Sequence, residues 1–274
     1  MAKVEVHIIS AFTKDDKGGN PAGVVFNNGL TDEQKQFIAK EAKVPETVFI
    51  HRISENEYEF AYYTPNREID FCGHATMAAL SLLEFDSLRV TTKAMSLYAI
   101  KNDKLQIGVG VGNPWINRYP LDKDEILQSL GITEEDLDSR MPIELVYSGV
   151  EEVFIGIKDR ETLLNIKPDF DLISKVSRRY RIVGYHVFSL DDEYDAVQRN
   201  FAPLYEIDED VATGSASAGL AYYLHYYNIV SKDNMAFIQG VNLGEESIIY
   251  TQIREQVFIG GETNYLKKIE IEIL

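Results

Sequence analysis

Cys72-Gly73-His74-Ala75-Thr76-Met77-Ala78 and Thr213-Gly214-Ser215-Ala216-Ser217-Ala218-Gly219 are the two stretches that decide how this chain folds. Each leaves a loop through a glycine and enters an apolar run of small residues, the pattern of a helix start. The glycines stand 141 positions apart (73 to 214) in a chain of 274 residues, close to half its length. Self-similarity at that spacing predicts two lobes built on one plan. The helices are expected over His74 to Leu83 and Gly214 to Tyr227.

Working outward, most of the chain reads as short strands. Val4, Val6 and Ile8 alternate with polar residues, and Val24–Phe26, Thr47–His51 and Tyr58–Tyr63 are rich in β-branched and aromatic residues. Leu88–Thr92, Ser96–Lys101 and Lys104–Val109 continue the pattern. Thr31 and Gln34 have capping-box spacing, so a helix starts there and ends before Val44-Pro45. Gly112-Asn113-Pro114 breaks the pattern and marks the boundary, giving lobes over 1–114 and 115–263. Beyond it, acidic helices are expected at Asp122–Leu130 and Thr133–Ser139, and another helix at Phe170–Arg179. Strands are expected at Glu144–Tyr147, Glu152–Ile157, Arg181–Leu190, Ala196–Phe201, Phe237–Gln239, Ser247–Thr251, Gln256–Ile259 and Tyr265–Ile273. Many strands with few helices, without regular alternation, define an α+β class.

Composition narrows the function. Lysine plus arginine number 27 against 44 aspartate plus glutamate, for a net charge of −17. That argues against a nucleic-acid binder, which needs a basic face. The hydrophobic content of 45% with 26% charged residues is that of a globular protein. No run of 18 apolar residues exists, so no membrane span is expected. The start is strand-like and carries no signal-peptide pattern. A single cysteine, Cys72, allows neither an internal disulfide nor a Cys-rich zinc site, and its free thiol fits the cytoplasm.

The residues that could carry chemistry cluster around the two helix starts. A helix N-terminus presents unpaired N–H groups and a positive dipole end, which suit an anion. Gly73 and Gly214 would let a ligand approach the backbone closely. Taken singly, each glycine equally serves a tight turn. Glu46 lies between Pro45 and the apolar Val48-Phe49-Ile50, where desolvation would raise a carboxyl toward the range of a general base. From its segment alone it also reads as an exposed turn residue. Asp208, Glu209 and Asp210 precede the second glycine turn and read as an orienting carboxylate or as a solvated loop. His74 is the histidine in a glycine-flanked turn. His7, His51, His186 and His225 sit in expected strands or a helix and show no metal spacing. Cys72 beside His74 could be a nucleophile or a small packed residue. No G-x-S-x-G, Walker A or G-x-G-x-x-G pattern is present.

Taken together the motifs resemble a known family. They are Gly19-Asn20-Pro21-Ala22-Gly23-Val24-Val25, Glu46-Thr47-Val48-Phe49, Tyr63-Thr64-Pro65, Glu68, and Phe71-Cys72-Gly73-His74-Ala75-Thr76, followed by Arg199-Asn200-Phe201-Ala202-Pro203, Glu209 to Ala216, and Gln239-Gly240. In this order and spacing they resemble the PhzF family, the phenazine-biosynthesis-like proteins. The resemblance implies a diaminopimelate-epimerase-like fold: two pseudo-symmetric lobes, each a mixed curled sheet around a central helix. The last strand, about 264–274, would complete the first lobe, and the active site would lie in the cleft between lobes. It implies a cofactor-independent isomerase that moves a proton at carbon of a small, carboxylate-bearing metabolite. By motif match Glu46 is its acid/base, and Gly73, His74, Asp210, Gly214 and Ser215 bind substrate. Distant two-thiol racemases and epimerases would need a second cysteine at Val211, so that chemistry is not expected. The chain also departs from the family pattern at Val211, where a proline is usual, and at Glu245, where an arginine is often found.

The expectations are therefore an isomerase with no metal or other cofactor, a small-molecule substrate, no nucleic-acid or membrane partner, and a homodimer in the cytoplasm. Two other readings stay open: a binding or scaffold protein that keeps the cleft, and a thiol-dependent enzyme using Cys72.

Overall fold

The computed structural model describes residues 2–27, 29–103 and 105–273. Met1, Asn28, Lys104 and Leu274, which fall within the expected lobes or strands, lie outside the described residues. The chain divides into two compact units, Met1–Gly110 with Gly260–Leu274, and Val111–Ile259.

In the first unit the strands Ala2–Thr13, Asn20–Phe26, Glu46–Ser54, Glu57–Tyr63, Ser87–Thr91, Ser96–Asn102 and Gln106–Gly110 pair in that order. The strand Val257–Ile273 pairs with both the first and the last of them, so the sheet closes on itself. Closure removes the exposed edges that would otherwise pair with other chains. The interior is filled by the helix Gly73–Ser81, in which every residue from His74 to Leu80 is buried. A helix apolar on all sides is stable only inside a core. Here Ala75, Ala78 and Ala79 keep it thin enough for the sheet to wrap it. Met77 and Leu80 are fully buried, each worth roughly 1.5–3 kcal/mol of apolar burial. The helix Asp32–Ala42 packs Ile38, Ala39 and Ala42 on the outer face, against Val6, Val25, Phe49 and Tyr63. The Thr31–Gln34 capping box is present, as its spacing predicts.

The second unit repeats the plan. The first five pairings of the first unit run antiparallel, parallel, antiparallel, parallel, antiparallel. Strands Glu144–Tyr147, Glu151–Ile157, Gly184–Leu190, Ala196–Ala202, Asn234–Gln239 and Ser247–Ile253 pair in the same series. In each unit the central helix connects the fourth strand to the fifth, and the second of these helices is Gly214–Tyr226. The repeat seen in the two glycine stretches thus extends to the strand topology. The Glu151–Ile157 strand explains how a second layer forms. Val153, Ile155 and Ile157 face a cluster with Ile126, Leu130, Ile173 and Val176 from the helices Lys123–Leu130 and Phe170–Tyr180. The alternate residue Phe154 faces Tyr223 of the central helix, with ring centroids 6.2 Å apart.

Several elements differ from the sequence expectation. Thr133–Ser139 is not a helix beyond the single turn Glu134–Asp136. A Thr133–Asp136 capping arrangement closes that turn, and Leu137 then extends to bridge Ile157. A short helix Arg160–Asn165, capped by Asp159, adds to the expected elements. Gln256–Ile259 and Tyr265–Ile273 are parts of one strand, Val257–Ile273. Gly260, inside this strand, answers a close approach: a Cβ there would run into the Leu105 and Ile107 carbonyls. Among the described residues no helix is long and apolar enough to cross a membrane.

Candidate active site

Glu46 opens the strand Glu46–Ser54 and sits opposite Ala22 of the parallel neighbour. One residue on, Thr47 crowds Gly23, where a Cβ would lie 2.7 Å from the Thr47 hydroxyl oxygen. The glycine in Pro21-Ala22-Gly23 therefore lets the two strands approach beside Glu46. The Glu46 side chain keeps only 14% of its surface exposed, so it is not a solvated turn residue.

Cys72 is the N-cap of the first central helix, Gly73 its first residue and His74 its second. The imidazole lies between two groups. His74 Nε2 is 3.1 Å from Glu46 Oε2, and Nδ1 is 3.4 Å from Cys72 Sγ. The helix start is held from below. The Thr76 hydroxyl donates to the Cys72 carbonyl at 2.7 Å and meets the buried Tyr62 hydroxyl at 2.6 Å. Burial pushes the Cys72 thiol up, against the pull of His74. Burial alone would lower His74, but Cys72 and Glu46 on either side outweigh it and hold the ring proton well above the usual range.

The second helix end lies in the second unit. Thr213 is the N-cap, Gly214 and Ser215 begin the helix, and Asp210 ends the short strand Ile207–Asp210. The Thr213 hydroxyl donates to Asp210 Oδ2 at 2.6 Å. Gln239 ties the turn together: Oε1 accepts from the Thr213 N–H at 3.0 Å, and Nε2 donates to the Asp210 carbonyl at 2.8 Å. The structure thus groups Glu46, Gly73 and His74 in the first unit, and Asp210, Gly214 and Ser215 in the second.

Behind Gln239 runs a buried polar chain. Asn200 Nδ2 donates to Glu152 Oε1 at 2.7 Å and contacts His186 Nδ1 at 3.3 Å. Gln198 Nε2 donates to Gln239 Oε1 and to the Ser217 hydroxyl. Gln198 Oε1 is then left to accept from His186 Nε2, which fixes the tautomer. Burial lowers His186 to about 3, so the ring is neutral. Burial, with Asp210 adding to it, raises Glu152 to about 7 even though Asn200 donates to it. Sequence reasoning takes His186 as a structural strand residue, packed or exposed, and does not single out Glu152 or Gln198. The available signal is strand alternation: Glu152 shares the face of Phe154, toward the central helix. Arg199 faces the other way and forms a buried bidentate pair with Glu209, at 2.9 and 2.8 Å, next to Asp210.

Comparison with known proteins bears on the family and the fold. The family model for phenazine biosynthesis-like protein, PhzC-PhzF, matches residues 9–268. An uncharacterised isomerase of Clostridium acetobutylicum is 33% identical, over 93% of this chain and 91% of that protein. The trans-2,3-dihydro-3-hydroxyanthranilate isomerase of Pseudomonas chlororaphis is 27% identical, over 96% of this chain and 93% of that protein. Among solved structures, a PhzF-family phenazine biosynthesis protein of Bacillus anthracis superposes with a TM-score of 0.86 at 27% identity, covering 100% of both chains. A hydroxyproline epimerase of Agrobacterium vitis shares the fold alone, with a TM-score of 0.66 at 12% identity over 98% of this chain and 92% of that one.

Proposed function

Because this chain belongs to the phenazine biosynthesis-like protein family, we propose that it is an isomerase in which Glu46 moves a proton at carbon of a small, carboxylate-bearing metabolite. Its curated relatives are named isomerases. The observation that carries the reading is the 3.1 Å contact between Glu46 Oε2 and His74 Nε2 at the start of a buried helix. A largely buried carboxylate beside an imidazole at a helix start is placed to accept a proton from carbon, then return it at another carbon. Such a transfer needs no redox partner, which supports a cofactor-independent reaction.

His74 and the Gly73 N–H end of the first helix are assigned to substrate binding. Asp210, Gly214 and Ser215 are assigned to the same role. The support is the motif match together with the local order that Gln239 imposes on that turn. The Ser215 hydroxyl would serve a carboxylate or carbonyl, and Asp210 an amino group. The reading includes a homodimer in the cytoplasm, resting on the family resemblance and the free thiol.

The test is deuterium uptake. Trans-2,3-dihydro-3-hydroxyanthranilate and other small cyclic acids are incubated in heavy water with wild type and with Glu46→Gln. Uptake with wild type should fall by about a hundredfold or more in the variant, the scale of a lost acid/base group. Equal uptake by both proteins would remove Glu46 from the mechanism. A thiol reading draws on the 3.4 Å contact of Cys72 with His74, but the raised thiol weighs against it. Full exchange in Glu46→Gln with none in Cys72→Ser would favour the thiol.

A further inference from the structure

We propose that Glu46, Cys72 and His74 also form a site for a zinc ion, and that its occupancy blocks the acid/base work of Glu46. The site stands on geometry; the blocking rests on the function proposed above.

The three side chains each offer a donor atom within 4.8 Å of the others. One imidazole nitrogen is placed to serve the whole set. His74 Nε2 is 3.1 Å from Glu46 Oε2 and 3.9 Å from Cys72 Sγ. Tetrahedral zinc, with bonds near 2.0 Å to nitrogen and oxygen and 2.3 Å to sulfur, separates its ligands by about 3.3–3.5 Å. The two His74 separations meet that spacing with shifts of a few tenths of an ångström, and the Glu46–Cys72 pair, within 4.8 Å, closes by up to about 1.3 Å through side-chain rotation. Glu46 Oε2 is buried and has no aligned hydrogen-bond donor among the described residues, although Nε2 is near it. Its lone pairs are therefore open to a ligand.

The donor chemistry selects the metal. Sulfur and imidazole suit zinc and other borderline cations, whereas magnesium and calcium need oxygen ligands. A thiolate and a carboxylate would cancel the two positive charges of the ion. On binding, the Cys72 thiol proton and the His74 Nε2 proton leave to solvent, and sulfur–zinc and nitrogen–zinc bonds replace the S–H and N–H bonds. The helix N-terminus favours that thiolate. The Tyr62–Thr76–Cys72 chain holds the cysteine backbone in place, which limits the reorganisation needed. Three protein ligands leave a fourth position for water or a substrate oxygen. A bound ion would also take the Glu46 lone pair that receives the substrate proton.

The experiment titrates chelator-treated protein with cobalt(II), then displaces it with zinc against a chromophoric chelator. The expected result is one cobalt per chain with a near-ultraviolet sulfur-to-cobalt charge-transfer band, bleached by zinc. In Cys72→Ser the band should vanish. Zinc affinity should fall by more than the roughly 10–100-fold that loss of an outer-shell partner brings. Glu46→Gln should keep a sulfur band and bind zinc more weakly, with circular dichroism confirming that both variants fold. Wild type without the band, or Cys72→Ser binding zinc as tightly as wild type, would overturn the site. In the heavy-water assay one equivalent of zinc should stop exchange; exchange unchanged in zinc-loaded protein would overturn the blocking. Metal binding is read without turnover, so the cobalt and zinc titrations decide the site even if the assigned reaction is wrong.

Discussion

The Tyr62 hydroxyl donates to Thr76 Oγ1 at 2.6 Å inside the first unit, because the single Thr76 hydroxyl proton is already committed to the Cys72 carbonyl at 2.7 Å. Through these two bonds a strand residue fixes the residue that starts the central helix. The direction ranks two substitutions. Tyr62→Phe removes a donor and leaves Thr76 still bonded, at about 1 kcal/mol. Thr76→Val strands the buried Tyr62 hydroxyl as well and should cost more, up to about 3 kcal/mol. Urea unfolding midpoints at unchanged slope measure both. The reverse order would show that the hydroxyl directions are misassigned.

Glu152 predicts a pH dependence of stability. Its carboxyl is raised from 4.5 to about 7 by burial. Between those values the native state keeps a proton that the unfolded chain has lost. Stability from this group is therefore fully present below about pH 4.5, declines as pH rises toward 7, and levels off above. The shift corresponds to at most about 3 kcal/mol. Glu152→Gln, still able to accept from Asn200, should abolish this part. The stability difference between the two proteins, measured by denaturation from about pH 5 to about pH 8, should change across the range. A constant difference would count against a native protonated Glu152.

The Arg199–Glu209 pair predicts non-additivity. Arg199 also donates to the Leu163 and Ile166 carbonyls. Arg199→Met leaves Glu209 as a buried, unpaired carboxylate and should cost about 3–5 kcal/mol. Adding Glu209→Gln should recover part of that loss. A double variant whose loss equals the sum of the singles would indicate that the two side chains do not interact energetically.

Gln239 predicts a local effect at the second helix end. Gln239→Leu keeps the volume but removes the acceptor for the Thr213 N–H and the donor to the Asp210 carbonyl. Hydrogen exchange at the Thr213 amide should accelerate, with a stability loss of about 1–3 kcal/mol. If Asp210 and Ser215 bind substrate as proposed, KM should rise more than kcat falls. An unchanged Thr213 exchange rate would show that Gln239 does not order the turn.

Much of the fold could be read in order along the chain. The paired glycines marked the starts of both central helices, because an all-apolar run entered through glycine is stable only as a buried helix. The capping box and the strand alternation are likewise local, and local chemistry leaves local signals. Glu46, His74 and Asp210 could be singled out by type and context. Distances between residues far apart in sequence are another matter. That His74 reaches Glu46 depends on how strand and helix are stacked within a closed sheet. That Glu152 is a buried acid and not a surface one depends on which face of its strand meets the helix. That Gln239 caps a turn 26 residues earlier depends on parallel pairing of its strand with Ala196–Ala202. Periodicity fixes which residues share a face, but only packing decides what each face meets.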